Sequence, residues 1–274
     1  MKDESGQTVE TRWSIRHRVT IMPQAQASSK KTAAADGKPA DGKEVNFRTR
    51  QAQVKRERML GKLLNATMSV CGDTSRRGTA VIDDVVREAG VSRGAFYWYF
   101  DSLDEAIEML GRRLADEITS ETTLLFSGQK RPTIIRAACG GQVMLFRASM
   151  DPAWAGYLSK IHVLLDDSTF VKAVQRNLEI GKKEGVFHYD SLTLVTDYQI
   201  GAIMNAIRRC ASPSPPPMPE LIEINRLILC GLGVPDDQAR AAAEEAKILV
   251  EEIGPTNLSW WQPAAPAART NKAD

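Results

Sequence analysis

The sequence predicts an all-α protein: an N-terminal three-helix head built around a helix-turn-helix, followed by a C-terminal helical bundle. Three observations carry this. Residues 126–253 contain no run that alternates apolar and polar side chains long enough for a useful strand. Apolar residues recur instead three and four apart, as Ile82, Val85, Val86 and Ala89 do. Start and stop signals stand where such helices need them: Gly90 after Ala89, Ser92 before a short aromatic helix, and the S-x-x-E capping box Ser102-Leu103-Asp104-Glu105 before a long one.

The first helix is expected from about Arg50 to Cys71, with Leu60, Leu63, Leu64, Thr67, Met68 and Cys71 as its apolar stripe. Gly72 to Gly78 reads as a loop. Thr79 is placed to cap the second helix, and Gly90 stops it where a residue without Cβ can turn left-handed. Val91 plugs the angle, Ser92 caps the third helix, and Phe96 and Phe100 form its buried face. Two helices at a steep angle around a glycine turn make a helix-turn-helix. Its outer face carries Arg93, Gly94, Ala95, Tyr97, Trp98 and Tyr99: small in front, aromatic behind, one cation. That shape and chemistry suit end-on entry into a DNA major groove. Arg93 is the candidate base reader, with a phosphate contact as the alternative, and Ala95 can pack on a thymine methyl. Tyr97 and the amides at Ser92 can donate to phosphate, and Trp98 and Tyr99 stand beside them.

The run Ala89-Gly90-Val91-Ser92-x-Gly94-x-Phe96-Tyr97-x-Tyr99-Phe100-Asp101-Ser102 resembles the signature of the TetR family of bacterial transcriptional regulators. The resemblance covers about residues 55–107 and departs from the usual pattern at Leu103, where lysine is common, and at Val81, where threonine is. It implies a DNA-binding head at residues 47–101 and an effector-binding and dimerisation domain at residues 102–253, with residues 102–125 as the linking helix. It also implies that the chain entering the first helix, including Arg48 and Arg50, lies against the DNA backbone. The basic cluster Arg48, Arg50, Lys55, Arg56, Arg58 and Lys62 gives such a segment salt-dependent affinity for phosphate.

Beyond the linking helix, Pro132, Asp151-Pro152, Asp167-Ser168, Asp190-Ser191, Leu221 and Asp236 each open a further helix. The run Pro213 to Pro219 is an interruption. The helices over residues 191–210 and 220–232 are apolar nearly all round, which asks for a second partner outside the monomer. The resemblance supplies that partner as a second copy of the chain, so a homodimer would form through these two segments. It also implies an effector pocket in the body. A small hydrophobic molecule is the expected ligand, and Gln142, Phe146, Trp154, Tyr157, His162 and Tyr198 are the expected contacts.

Composition bounds the rest. Of 274 residues 43% are hydrophobic and 26% charged, the profile of a soluble globular protein, and the net charge is only +2. DNA attraction must therefore come from local patches. Cys71, Cys139, Cys210 and Cys230 are far apart without metal-ligand spacing, which fits reduced thiols in a cytoplasm. Three histidines, with no H-E-x-x-H, G-x-S-x-G or P-loop, give no catalytic residues, no metal site and no cofactor. No run is apolar enough for a membrane span, so no membrane partner is expected. Residues 1–46 and 254–274 hold little to bury and are expected to be disordered. The expected function is a dimeric, ligand-responsive regulator, a repressor, that binds a pseudo-palindromic double-stranded DNA operator. The rival is a helical small-molecule-binding or interaction protein that no longer reads DNA, a reading prompted by the acidic side chains Asp83, Asp84 and Glu88.

Overall fold

The structure, a computed structural model, describes residues 42–126, 130–160 and 168–261, with the backbone alone for residues 42–49. The chain divides into two units after Gly61. Of the first unit, residues 42–61 are described; they belong to α1 (Gly42–Gly72), and the side chains from Arg50 to Arg58 are exposed. This helix starts eight residues before the expected Arg50 and takes in residues 42–46, which had been assigned to the disordered arm. No glycine or proline follows Gly42 before Gly61, so nothing in the covalent chain stops the helix there.

The second unit begins at Lys62. In it Leu63, Leu64, Ala66, Thr67 and Val70 on the rest of α1 are buried. The helix-turn-helix follows as α2 (Ile82–Ala89) and α3 (Arg93–Tyr97). The linking helix α4 (Leu103–Leu124) begins three residues after Phe100. Ser102 accepts from the Glu105 N–H at 3.1 Å, and the Glu105 carboxylate reaches back to the Asp101 N–H at 2.6 Å. This is the reciprocal arrangement that the S-x-x-E motif predicts, shifted by one amide.

The body comprises α5 (Thr133–Met150), α6 (Pro152–Leu158), α7 (Thr169–Lys183), α8 (Leu192–Cys210), α9 (Met218–Gly231) and α10 (Asp236–Asn257). Among the described residues there is no strand. Helix α5 is the central rod. Thirteen of its residues are buried, and it packs against α10, α9, α8, α7, α6 and α4. The core gathers Ile135, Ala138, Val143 and Phe146 of α5 with Leu229 of α9 and Ala239, Ala242, Ala246 and Val250 of α10. Alanine on α10 keeps the two helices close, which explains that helix's composition.

Three polar contacts fasten α4 to the body. Tyr157 of α6 donates its hydroxyl to the Ile107 carbonyl at 2.6 Å, and Thr169 of α7 donates to Asp116 at 2.7 Å. Arg147 of α5 lies 3.3 Å from a Glu117 carboxylate oxygen. At the other end, Gly72 and Gly156 let α1 and α6 touch backbone to backbone. A Cβ on Gly156 would lie 1.9 Å from the Gly72 carbonyl oxygen.

Residues 254–261 depart from expectation. They were placed in a disordered tail, yet α10 continues through Pro255 to Asn257, Leu258 is buried, and Trp261 stacks on Phe146 with centroids 5.4 Å apart. Two indoles and a leucine supply enough apolar area to outweigh a Pro- and Asn-rich composition.

Candidate functional site

The helix-turn-helix is built by local signals. Gly90 sits at φ 58°, and its N–H together with that of Val91 closes the end of α2 onto the Arg87 and Val86 carbonyls at 3.1 and 3.0 Å. Ser92 accepts from the Ala95 N–H at 3.2 Å and so starts α3. Phe96 and Phe100 are buried, 5.3 Å apart between centroids. The start of α2 differs from expectation. Its cap position is Val81 rather than Thr79, and the orphan Val81 N–H is taken by the Asp84 carboxylate at 3.1 Å.

With the apolar side of α3 fixed inward, its other side faces solvent. Ser92, Arg93 and Gly94 are exposed, Ala95 and Tyr99 half-buried, Tyr97 48% exposed and Trp98 85% exposed. The structure thus brings Ser92, Arg93, Gly94, Ala95, Tyr97, Trp98 and Tyr99 together on or beside one short helix. Arg50 is exposed on α1 in the other unit, and the side chain of Arg48 lies outside the described residues.

The acidic side chains of α2 are spoken for. Asp84 pairs with Arg76 and, at 3.4 Å, with Arg87. The Arg76 hydrogen bond, helped by the Val81 N–H, holds the Asp84 carboxyl below the usual carboxylate range. Asp83 lies 3.2 Å from the Arg93 guanidinium. A hydrogen bond with Tyr97, then the Asp83 charge, raises the Arg93 pKa further. Arg76 stands in the loop before α2, and the loop folds back so that it neutralises Asp84. Residue spacing alone carries no signal for that return.

The body candidates are scattered. Gln142 is buried and accepts from Asn225 at 3.3 Å. Phe146 is covered by Trp261. Trp154 is buried with the Arg147 guanidinium 4.9 Å from its ring, and the Tyr157 hydroxyl is committed to α4. Tyr198 is 44% exposed and donates to the Leu227 carbonyl at 3.2 Å. His162 lies outside the described residues.

A separate cavity of about 40 Å³ opens between α5, α7 and α8. Its walls include Gly140, Gly141 and Met144 of α5, Phe170 and Val174 of α7, Phe187, and Ile200, Ile203 and Met204 of α8. Its polar groups are Arg136, Asn177 and Gln199. None of the five described body candidates is among its lining residues. Sequence reading missed these groups because each lies singly on a helix; Arg136 and Asn177 meet only in the fold, at 3.3 Å.

A third polar cluster is centred on a buried arginine. Arg147 is 2% exposed, with Glu117 and Glu121 at 3.3 and 3.8 Å and the rings of Trp154 and Trp260 on either hand. The Trp260 indole donates to Glu121 at 2.8 Å. Burial pushes the Glu121 carboxyl up to about 7, Arg147 pulling against it and Glu117 adding to it. Among the described residues no cluster of three or more His, Cys, Asp or Glu is set to hold a metal, and no helix is long and apolar enough to cross a membrane.

Comparison with known proteins places these features. Residues 75–108 match the family model for bacterial regulatory proteins of the tetR family. No curated protein sequence matches the chain. Among solved structures, the fold is similar to RolR in complex with resorcinol, at 19% identity and TM-score 0.53, over 70% of this chain and 95% of that one. It is also similar to the TetR family protein CprB from S. coelicolor A3(2), at 16% identity and TM-score 0.53, over 72% and 98%. A third likeness is to a gamma-butyrolactone receptor (ArpA-like protein), at 14% identity and TM-score 0.51, over 73% and 99%.

Proposed function

Because the chain carries the helix-turn-helix head of the tetR family of bacterial regulatory proteins, we propose that it is a dimeric transcriptional repressor, bound to a pseudo-palindromic operator and released by a small effector held in the body. The observation that carries this reading is the outer face of α3. Arg93, Tyr97 and Trp98 stand in solvent beside a small, Ser-capped N-terminus, while Asp84 of α2 is neutralised by Arg76 and Asp83 is held by Arg93 itself, a pairing that DNA would have to replace. A face so arranged offers one base reader, one phosphate donor and helix-terminal amides to a major groove. The exposed basic run Arg50, Lys55, Arg56 and Arg58 supports the reading as a source of phosphate affinity.

Dimerisation is supported by an outward stripe. Leu194 is 70% and Leu227 49% exposed, with Tyr198 between them, on the two segments read as the dimer face. Two heads on one two-fold axis read two half-sites, so a short α3 suffices for specificity. The effector then acts by population shift: it favours one spacing of the heads, and DNA favours the other. That solved neighbours of this fold include a complex with resorcinol is in keeping with a small ligand.

The test is selection of bound genomic fragments by the purified protein at near-physiological salt, followed by titration of the recovered site. The expected site is a pseudo-palindrome. Arg93→Ala should cost about 1–3 kcal/mol of operator affinity, the worth of a base contact. Tyr97→Phe should weaken all duplexes alike. Neither substitution is expected to change folding or dimer formation. No enrichment of any site by a folded dimer, or no effect of either substitution, would refute the reading.

A further inference from the structure

The cavity between α5, α7 and α8 has walls of one chemistry and a floor of another. Its walls are apolar, with the rings of Phe170 and Phe187 and the thioethers of Met144 and Met204 among aliphatic side chains. Its polar groups are a guanidinium and two amides, and none of the described lining residues is a carboxylate. Two buried polar atoms of that lining have no partner among the described residues: the Arg136 Nε and the Gln199 Oε1. Asn177 takes an Nη2 proton of Arg136 at 3.3 Å and the Phe126 ring lies 5.7 Å from the guanidinium, which leaves the buried Nε N–H without a hydrogen-bond partner among the described residues. Buried groups of this kind are ordinarily satisfied. A guanidinium edge calls for a paired-oxygen anion, and an amide oxygen calls for a hydroxyl or N–H donor.

We propose that this cavity is the effector site, and that it takes a small aromatic carboxylic acid bearing a hydroxyl: the carboxylate on the open edge of Arg136, the hydroxyl on Gln199, the ring among Phe170, Phe187 and the two methionines. The proposal rests on the reading of the chain as an effector-responsive regulator. At about 40 Å³ the space is too small for a benzene ring, which needs roughly 150 Å³. The ligand therefore enters by displacing side chains, and Met144 and Met204 are the unbranched, adaptable walls that yield. An acid of two fused rings or a long acyl chain would have to part the helices themselves.

The experiment uses the full-length protein without DNA, so that it stands or falls apart from operator binding. Calorimetric titration compares 4-hydroxyphenylacetate, phenylacetate, 4-hydroxyphenylacetamide and 3-(4-hydroxyphenyl)propanoate. The expected result is binding of a hydroxylated acid, with its primary amide and its deoxy analogue each weaker by about 10-fold, as for loss of one buried polar contact. Arg136→Met should erase the difference between acid and amide, and Arg136→Lys should restore part of it. Gln199→Met should erase the difference between the hydroxylated and deoxy acids. Equal binding of acid and amide by the unsubstituted protein overturns the proposal without recourse to any variant. So does binding of none of the acids, or retention of the acid preference in a folded Arg136→Met protein. Failure of operator selection, with acid binding intact, would refute the repressor reading and leave this site standing.

Discussion

Replacing Glu121 by glutamine should make the protein more stable above pH 7 and leave it little changed at pH 5. Glu121 is 6% exposed, on α4, facing Arg147 and Glu117, with the Trp260 indole on its other oxygen. Burial holds its carboxyl at about 7, against an ordinary value of 4.5. A carboxyl raised in this way binds a proton in the folded state that the unfolded state releases. Stability contributed by that proton is full below pH 4.5, falls as the pH rises towards 7, and is gone above it. At about 1.4 kcal/mol for each pH unit, the interval from 4.5 to about 7 amounts to about 3 kcal/mol. Glutamine is neutral throughout, keeps an oxygen for the Trp260 N–H, and leaves Glu117 to balance Arg147. The measurement is urea unfolding, followed by tryptophan fluorescence, at intervals from pH 5 to 8.5. Other carboxyls move stability with pH as well, Asp73 and Asp84 in the opposite sense, so the difference between the two proteins is the quantity to read. It should grow to about 3 kcal/mol in favour of the glutamine protein. If that protein is the weaker of the two at pH 8, ionised Glu121 is the partner that Arg147 requires. The argument from desolvation then fails.

Two shorter predictions test the remaining architecture. Leu227→Glu puts a charge into the outward stripe of α8 and α9 while leaving the monomer core alone, since Leu227 is 49% exposed. Sedimentation equilibrium should show a folded monomer, and an unchanged dimer would move the interface elsewhere. Gly156→Ala forces a Cβ to within 1.9 Å of the Gly72 carbonyl oxygen. Neither backbone can yield cheaply, so thermal unfolding should show a loss of about 2–3 kcal/mol, as for overpacking.

The head was legible because its signals are local. Gly90 at φ 58°, Ser92 and Ser102 as caps, and the i, i+4 pair Phe96 and Phe100 all act within a few residues, and the structure uses every one of them. The two errors of detail there, Thr79 for Val81 and Arg50 for Gly42, come from side chains reaching back and from a polar helix with no stop signal. In the body the helix starts at Ser168, Ser191 and Asp151 were readable for the same local reason, each side chain accepting from an amide three residues on. What was not legible depends on distance along the chain. Arg136 meets Asn177 across 41 residues, Arg147 meets Glu117 across 30, and Trp260 meets Glu121 across 139. One signal was available and not used. Arg147 interrupts the apolar run Val143-Met144-Leu145-Phe146 and Ala148, and a cation in such a run asks where its carboxylate lies.

The same contacts bear on how a ligand in the cavity would reach the head. Helix α5 lends Gly140, Gly141 and Met144 to the cavity and, one residue-turn beyond, holds α4 through Arg147. Helix α7 lends Phe170 and Val174 to it and holds α4 through Thr169 and Asp116. A ligand that displaces side chains between α5 and α7 thus bears on both helices that grip α4. Helix α4 in turn starts three residues after Phe100, the anchor of α3, and its first turn is fixed there by Ser102 and Glu105. Little slack separates the cavity from α3, the helix proposed to face DNA. The sizes agree as well. A coupling of about 1–3 kcal/mol changes affinity by roughly 5- to 150-fold. A hydrogen bond to a charged group such as that from Thr169 to Asp116 is worth about 1.5–3 kcal/mol. Loosening one of these ties on one side of the equilibrium is therefore enough to move operator affinity over a regulatory range, and the fold need not change anywhere else.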